Sequence, residues 1–192
     1  PITMNLDFGT DGCTLADGRA VSGTITSVYS GRIRDAGTTF TITFNDFVLD
    51  GNTINGIKTI TNNGLNSEGQ LSFTIVVENG SFTYANGDNF TYETTRTRTW
   101  IEGMDTNFEN NGIDGITDDV WEITGTASGI NRAENTYEVT VTTPLRRAVN
   151  CRWLTAGIME LETDAFNNPL IINYGDGTCD NKANVSLGLI QQ

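Results

Sequence analysis

Between Phe90 and Trp100 the chain alternates two kinds of residue. Phe90, Tyr92, Thr94, Arg96, Arg98 and Trp100 fall on one side, and Thr91, Thr95, Thr97 and Thr99 on the other. A period of two held over about 11 residues is a β-strand, roughly 35 Å long at about 3.3 Å per residue. One of its faces is packed and the other meets water. The same alternation places Phe40, Ile42 and Phe44 against Thr39, Thr41 and Thr43, and lines up Leu71, Phe73, Ile75 and Val77. A chain built this way folds as antiparallel sheet.

Turn signals punctuate these runs. Asp17-Gly18, Asp35-Ala36-Gly37, Asp50-Gly51, Asn79-Gly80, Asn86-Gly87 and Asn167-Asn168-Pro169 stand between strand patterns, and Asn-Gly and Asp-Gly pairs favour tight hairpins. Ile57 to Thr61 reads as a strand, Asn62-Asn63-Gly64 as a loose connection, and Asn79-Gly80 as a hairpin. Residues 103 to 119 read as one long polar loop. No window sustains apolar residues at helical spacing. The stretch Lys58 to Gly64 leading to Phe73, Ile75 and Val77 is echoed by Glu122 to Gly129 leading to Tyr137, Val139 and Val141. The expectation is a single all-β domain over residues 1–192: an elongated antiparallel β-sandwich of sequential hairpins with an internal duplication.

Charge and composition exclude several function classes. With 24 acidic and 11 basic residues the formal charge is -13, which repels nucleic acid and anionic membrane surfaces. The chain has no run long and apolar enough for a transmembrane segment. It contains 0 histidines, which removes histidine-based nucleophilic triads, histidine general bases and the common zinc sites.

Three cysteines leave an odd one. A disulfide between Cys151 and Cys179, both in neighbouring hairpins of the C-terminal half, with Cys13 as a buried spare thiol, is the leading arrangement. A Cys13 to Cys179 staple joining the termini is its rival, and three inert buried thiols remain an alternative.

Candidate sites are few. Trp100, Trp121 and Trp153, with Arg96 and Arg98, would form a ligand-binding row if exposed, stacking on sugar rings; at strand starts such aromatics more often pack as core. The segment 107 to 118 imitates a calcium loop through Asn107, Glu109, Asn111, Asp114 and Asp118, with Gly112 at the sixth position. Calcium is therefore the only cofactor this reading entertains, with Asp176 and Asp180 of the last turn a weaker place for it. Glu160 with Glu162, and Glu122 with Glu138, alternate onto strand faces; paired carboxylates could serve a glycosidase, though such glutamates are ordinarily a solvated sheet face.

Several motifs together carry a resemblance. Asp7-Phe8-Gly9-Thr10-Asp11-Gly12-Cys13, Tyr29-Ser30-Gly31, Arg34-Asp35-Ala36-Gly37-Thr38, Lys58-Thr59-Ile60-Thr61-Asn62-Asn63-Gly64, Arg96-Thr97-Arg98-Thr99-Trp100, Asn150-Cys151-Arg152-Trp153 and Tyr174-Gly175-Asp176-Gly177-Thr178-Cys179-Asp180-Asn181-Lys182-Ala183 resemble a family of uncharacterised Bacteroidetes surface lipoproteins. The resemblance covers nearly the whole chain and departs at 105 to 119, where the loop is longer than the family's usual connection. It implies export, signal removal and anchoring at the outer-membrane surface through a lipid-bearing cysteine upstream of Pro1. It brings no activity with it.

The leading expectation is thus a non-enzymatic extracellular or cell-envelope β module, structural or adhesive. It would self-assemble through unpaired edges at residues 2 to 8 or at Val185, Leu187 and Leu189, with itself as partner. A carbohydrate-binding module that takes surface glycans on exposed aromatics is the alternative, and a carboxylate-dependent glycosidase the third reading.

Overall fold

The computed structural model describes residues 1–188, so Leu189 lies outside the described residues. Its strands are β1 (Ile2–Asp7), β2 (Cys13–Thr14), β3 (Ala20–Tyr29), β4 (Thr39–Leu49), β5 (Asn52–Leu65), β6 (Leu71–Thr83), β7 (Asn89–Glu102), β8 (Val120–Ile130), β9 (Thr136–Ala148), β10 (Ala156–Thr163), β11 (Leu170–Asp176) and β12 (Asn184–Leu187). Two short helices, α1 (Phe108–Asn111) and α2 (Asp114–Thr117), sit between β7 and β8. All twelve strands belong to one antiparallel sheet in the order β1-β3-β4-β5-β6-β7-β8-β9-β10-β11-β12, with β2 paired to β3 off that path. The all-β architecture of sequential hairpins is therefore what the chain adopts, as a single hydrogen-bonded path whose ends are β1 and β12.

Register sorts most of the side chains onto two faces. One face carries Leu6, Ile25, Phe44, Ile42, Phe40, Ile60, Ile75, Phe73, Ile123, Val139, Leu161, Met159, Ile172 and Val185, strand by strand. The other carries Thr26, Thr43, Thr41, Thr59, Thr74, Thr97, Thr124, Thr126 and Thr140. Threonine suits the wet face because its branched Cβ fits the pleat and its hydroxyl keeps water.

The apolar face is incompletely covered. A compact monomer of 20.9 kDa exposes about 9000 Å², whereas this chain exposes 11798 Å², roughly 30% more. The edge strands show it directly: Ile2, Met4 and Leu6 of β1 and Val185 and Leu187 of β12 are exposed.

The two ends of the sheet differ. The connections after β4, β6, β8 and β10 are tight turns. Those after β3, β5, β7, β9 and β11 gather at the opposite end and include the longest. There Leu71, Trp100 and Trp121 form a buried cluster, with Phe73 and Met104 packed against it. Cys151, 2% exposed, is bonded to Cys179, fastening the β9–β10 connection to the β11–β12 connection. Cys13 is free, and it is exposed where a buried thiol was expected. Its turn after β1 lies at the tight-turn end, and Cys179 lies at the other. A bond between them would have to span the length of the strands.

Two local expectations are corrected, and the echoed stretches are placed. Asn62-Asn63-Gly64 is not a connection, since β5 runs on to Leu65. Asn79-Gly80 does not turn the chain: Asn79 has φ 52° within β6, and the register to β7 shifts between Val77 and Gly80. The pair makes a bulge, the other structure that a left-handed residue followed by glycine accommodates. The echoed stretches at Lys58 and Glu122 lie on β5 and β8, which run in opposite directions, with Lys58 on the apolar face and Glu122 on the threonine face. Matching the two stretches residue for residue therefore sets positions of different faces against each other.

Candidate ligand-binding face

The centre of the apolar face is cationic. Lys58 stands opposite Ile42 on β4 and Val77 on β6. Arg96 pairs with Ile75 and Gly125, and Arg98 with Phe73 and Ile123. Three charged side chains therefore interrupt an apolar row on the middle strands. None belongs to an ion pair of the described residues, where the salt bridges are Arg19–Asp17, Arg132–Asp88 and Arg146–Glu102. Burial lowers the Lys58 pKa from its ordinary value, and the positive charges of Arg96 and Arg98 lower it further. Burial likewise lowers that of Arg98, with Asp119 opposing and Arg147 reinforcing the shift. The Nε atoms of both Arg96 and Arg98 are buried without a hydrogen-bond partner.

Aromatic rings hold these cations in place. The Arg98 guanidinium lies 3.9 Å from the Trp121 ring centroid, and Arg96 lies 5.9 Å from that of Tyr92. Both distances fall within cation–π range. Trp121 stacks on Trp100 at 5.0 Å, and Arg34 lies over the Trp100 ring at 5.2 Å. Arg34 gets there because Asn62, 0% exposed, clamps the β3–β4 connection. Its Nδ2 donates to the Ile33 carbonyl at 2.8 Å, its Oδ1 accepts from the Gly64 N–H at 2.7 Å, and its own carbonyl accepts from the Gly37 N–H at 2.8 Å. Asp119 sits beside the stack with one carboxylate oxygen unpartnered. Burial and Asp118 raise its pKa, opposed by the Trp100 indole and by Arg34 and Arg98.

Beside the cations lies an apolar trough of about 550 Å³ formed on β7–β10. Val139, Val141, Leu145, Met159 and Leu161 line it, with Arg96 also on its lining and Phe166 at the tight-turn end. Phe90 and Tyr137 stack at 5.7 Å along one wall, and the Tyr137 hydroxyl donates to the Thr91 carbonyl at 2.9 Å. A volume within roughly 300–1000 Å³, apolar with a few polar groups, is that of a small-molecule site.

The structure brings together Arg96, Arg98, Trp100 and Trp121 of the expected row. It does not make them a platform for sugars: Trp100 is 7% and Trp121 9% exposed, each sandwiched by a partner, while Trp153 is 44% exposed and stands apart with Arg152 at 5.4 Å. The segment expected to be a polar calcium-like loop folds instead as α1 and α2. Asn107 caps α1 by accepting from the Asn110 N–H at 3.0 Å, Asn111 accepts from the Asn107 N–H at 3.4 Å, and Asp118 accepts from the Thr106 hydroxyl at 2.8 Å. Glu109 and Asp114 are exposed. Among the described residues no three His, Cys, Asp or Glu side chains converge as a metal site would require. Asp176 spends a carboxylate oxygen on the Thr178 hydroxyl at 3.0 Å, and Asp180 accepts from the Lys182 N–H at 3.0 Å. Glu138, Glu160 and Glu162 line a wider concavity of about 1110 Å³, Glu162 directly opposite Glu138 in register. Glu122 lies apart from it, paired with Thr99 and Arg146.

Lys58, Asn62, Arg34 and Asp119 were not among the expected site residues. Lys58 carries a readable signal, since it falls in phase with the apolar Ile60. The others depend on how a connection folds back across strands distant in sequence. No helix among the described residues is long and apolar enough to cross a membrane. Compared with known proteins, the chain matches no family model, no curated protein and no solved structure.

Proposed function

We propose that this chain is a non-enzymatic β module of the cell envelope or extracellular space, and that its apolar sheet face binds the hydrocarbon part of an amphiphile. The observation that carries the reading is the incompletely covered apolar face, exposed at β1 and β12, half-buried on the middle strands and deepened into a trough on β7–β10. An incompletely covered apolar surface of this kind marks an interaction site. The Cys151–Cys179 disulfide supports placement outside the cytoplasm, because such bonds persist in oxidising compartments. A neutral solvatochromic dye such as Nile red tests the reading. Saturable binding, displaced by hexadecanol and lost in Leu161→Glu, is the expected result, and a dye signal that never saturates or ignores the substitution rejects it.

A second reading, self-assembly through strand edges, is favoured by the position of β1 and β12 at the two ends of the path with their backbones and apolar side chains exposed. Sedimentation across a wide concentration range tests it. A species that stays monomeric throughout rejects it.

A further inference from the structure

We infer that the amphiphile is a single-chain anion of the fatty-acid class, its carboxylate held by Lys58, Arg96 and Arg98 and its hydrocarbon chain laid in the trough of β7–β10. The inference rests on the apolar face being a binding surface and adds the charge and form of what binds there.

Three facts converge on it. First, the chain carries 24 acidic and 11 basic residues, so a carboxylate for any cation is easily supplied. Yet Lys58, Arg96 and Arg98 stand together on the apolar face with no ion pair among the described residues. Half-burying cations that form no salt bridge, with only the negative charge of Asp119 acting on Arg98, is unfavourable, and an anionic ligand would offset that cost. Second, the Nε atoms of Arg96 and Arg98 are buried and unpartnered. Buried donors in native proteins are nearly always satisfied, and a guanidinium is a fork suited to a carboxylate. Third, Arg96 belongs to both features, standing beside Lys58 and Arg98 while lining the trough. The trough, about 550 Å³, has the size of one chain rather than of a bulky multi-chain lipid.

A second copy of this chain fits the face poorly. The cations lie on β5 and β7, at the middle of the strand path. A two-fold interface sets the same patch against itself, so one centred on the middle strands would bring these charges close to their own equivalents. An anion removes that conflict and a neutral chain does not.

The test is calorimetric titration of the folded protein with palmitate and, separately, with hexadecanol, each kept below its aggregation concentration. The proteins are wild type, Arg96→Gln, Lys58→Gln and, as a control of equal charge change, Arg19→Gln at the exposed Arg19–Asp17 pair. Wild type is expected to prefer palmitate by about tenfold or more, the difference a charge-assisted hydrogen bond makes. That preference is expected to shrink in both site variants and to persist in Arg19→Gln. Should Arg96→Gln fail to fold, Lys58→Gln alone carries the comparison. Equal affinity for palmitate and hexadecanol, or palmitate binding unaffected by either site substitution, overturns the anionic headgroup while leaving chain binding intact. Binding of neither compound overturns both.

Discussion

Arg96 faces Gly125 across the β7–β8 pair, so the cation's neighbour on the apolar face has no side chain. Gly125 has φ +120°, and a Cβ there would overlap the Thr95 carbonyl oxygen. The close approach of β8 to β7 beneath Arg96 therefore requires glycine. Gly125→Ala is expected to cost about 3 kcal/mol and lower Tm by roughly 10 °C. Gly87, at φ +91° in an open turn where an added Cβ would meet no atom within 4 Å, supplies the contrast: Gly87→Ala is expected to cost only about 1 kcal/mol. Thermal melts of the two variants check the difference, and equal losses would show that the approach of the strands is not what matters.

Lys58 should work against stability. Burial and its two cationic neighbours disfavour the ammonium in the ligand-free fold. Lys58→Met keeps the length of the side chain and removes the charge, and is expected to raise Tm by about 2–4 °C, equivalent to about 1 kcal/mol at most because a half-exposed charge is screened by solvent. A variant that melts lower than wild type would mean that Lys58 has a stabilising partner. Gain of stability on loss of a charged group is the pattern of a residue kept for function.

Tyr137 sets an alkaline limit. Burial first, then Tyr92, pushes its phenol up to about 12 from 10.0. The folded chain therefore holds that proton more tightly than the unfolded one. The stabilisation is complete below pH 10 and is lost as pH rises toward about 12. Tyr137→Phe removes the donor to Thr91 and is expected to cost about 1 kcal/mol at pH 7. It should also flatten the fall in stability between roughly pH 10 and 12. Urea titrations at stepped pH measure both effects, and an unchanged alkaline slope would assign the fall to other groups.

The Cys151–Cys179 bond closes a loop with a sequence separation of 28. Constraint of the unfolded chain by a loop of that size is worth about 3.5 kcal/mol. Reduction is expected to lower the urea midpoint accordingly. Cys13, exposed, should react with a maleimide in the native state, and Cys13→Ser should abolish that labelling without moving Tm by more than about 1 °C. A native thiol count of zero would contradict the free cysteine.

Much of the fold is legible in residues that alternate. Phe90 to Trp100 announces β7 and both of its faces, and Asn86-Gly87 marks its hairpin. Asn79-Gly80 misleads because the same local chemistry serves a turn or a bulge, and only the pairing of Gly80 with Tyr92 decides between them. The disulfide is legible in the proximity of two C-terminal hairpins. The candidate site is legible in part. Arg96 and Arg98 stand out on their strand, but Lys58 joins them only through the intervening β6, and Arg34 arrives through the Asn62 clamp. The tryptophans illustrate the limit of periodicity, which assigns Trp100 a face without telling whether Trp121 and Arg34 will cover it.

From β3 onward each strand bonds to the one before it in the chain. Pairing of this kind joins strands adjacent in the chain, the longest closure being the 103–119 connection between β7 and β8, which keeps the entropic cost of each pairing low. It also makes the sheet a line of nearest-neighbour couplings, comparable to a repeat array, in which structure spreads strand by strand from wherever a first hairpin takes hold. While it spreads, the growing sheet presents a raw border on each side, and in the finished fold those borders are β1 and β12. The Cys151–Cys179 bond ties the connection before β12 to the one before β10 and leaves the β12 edge open.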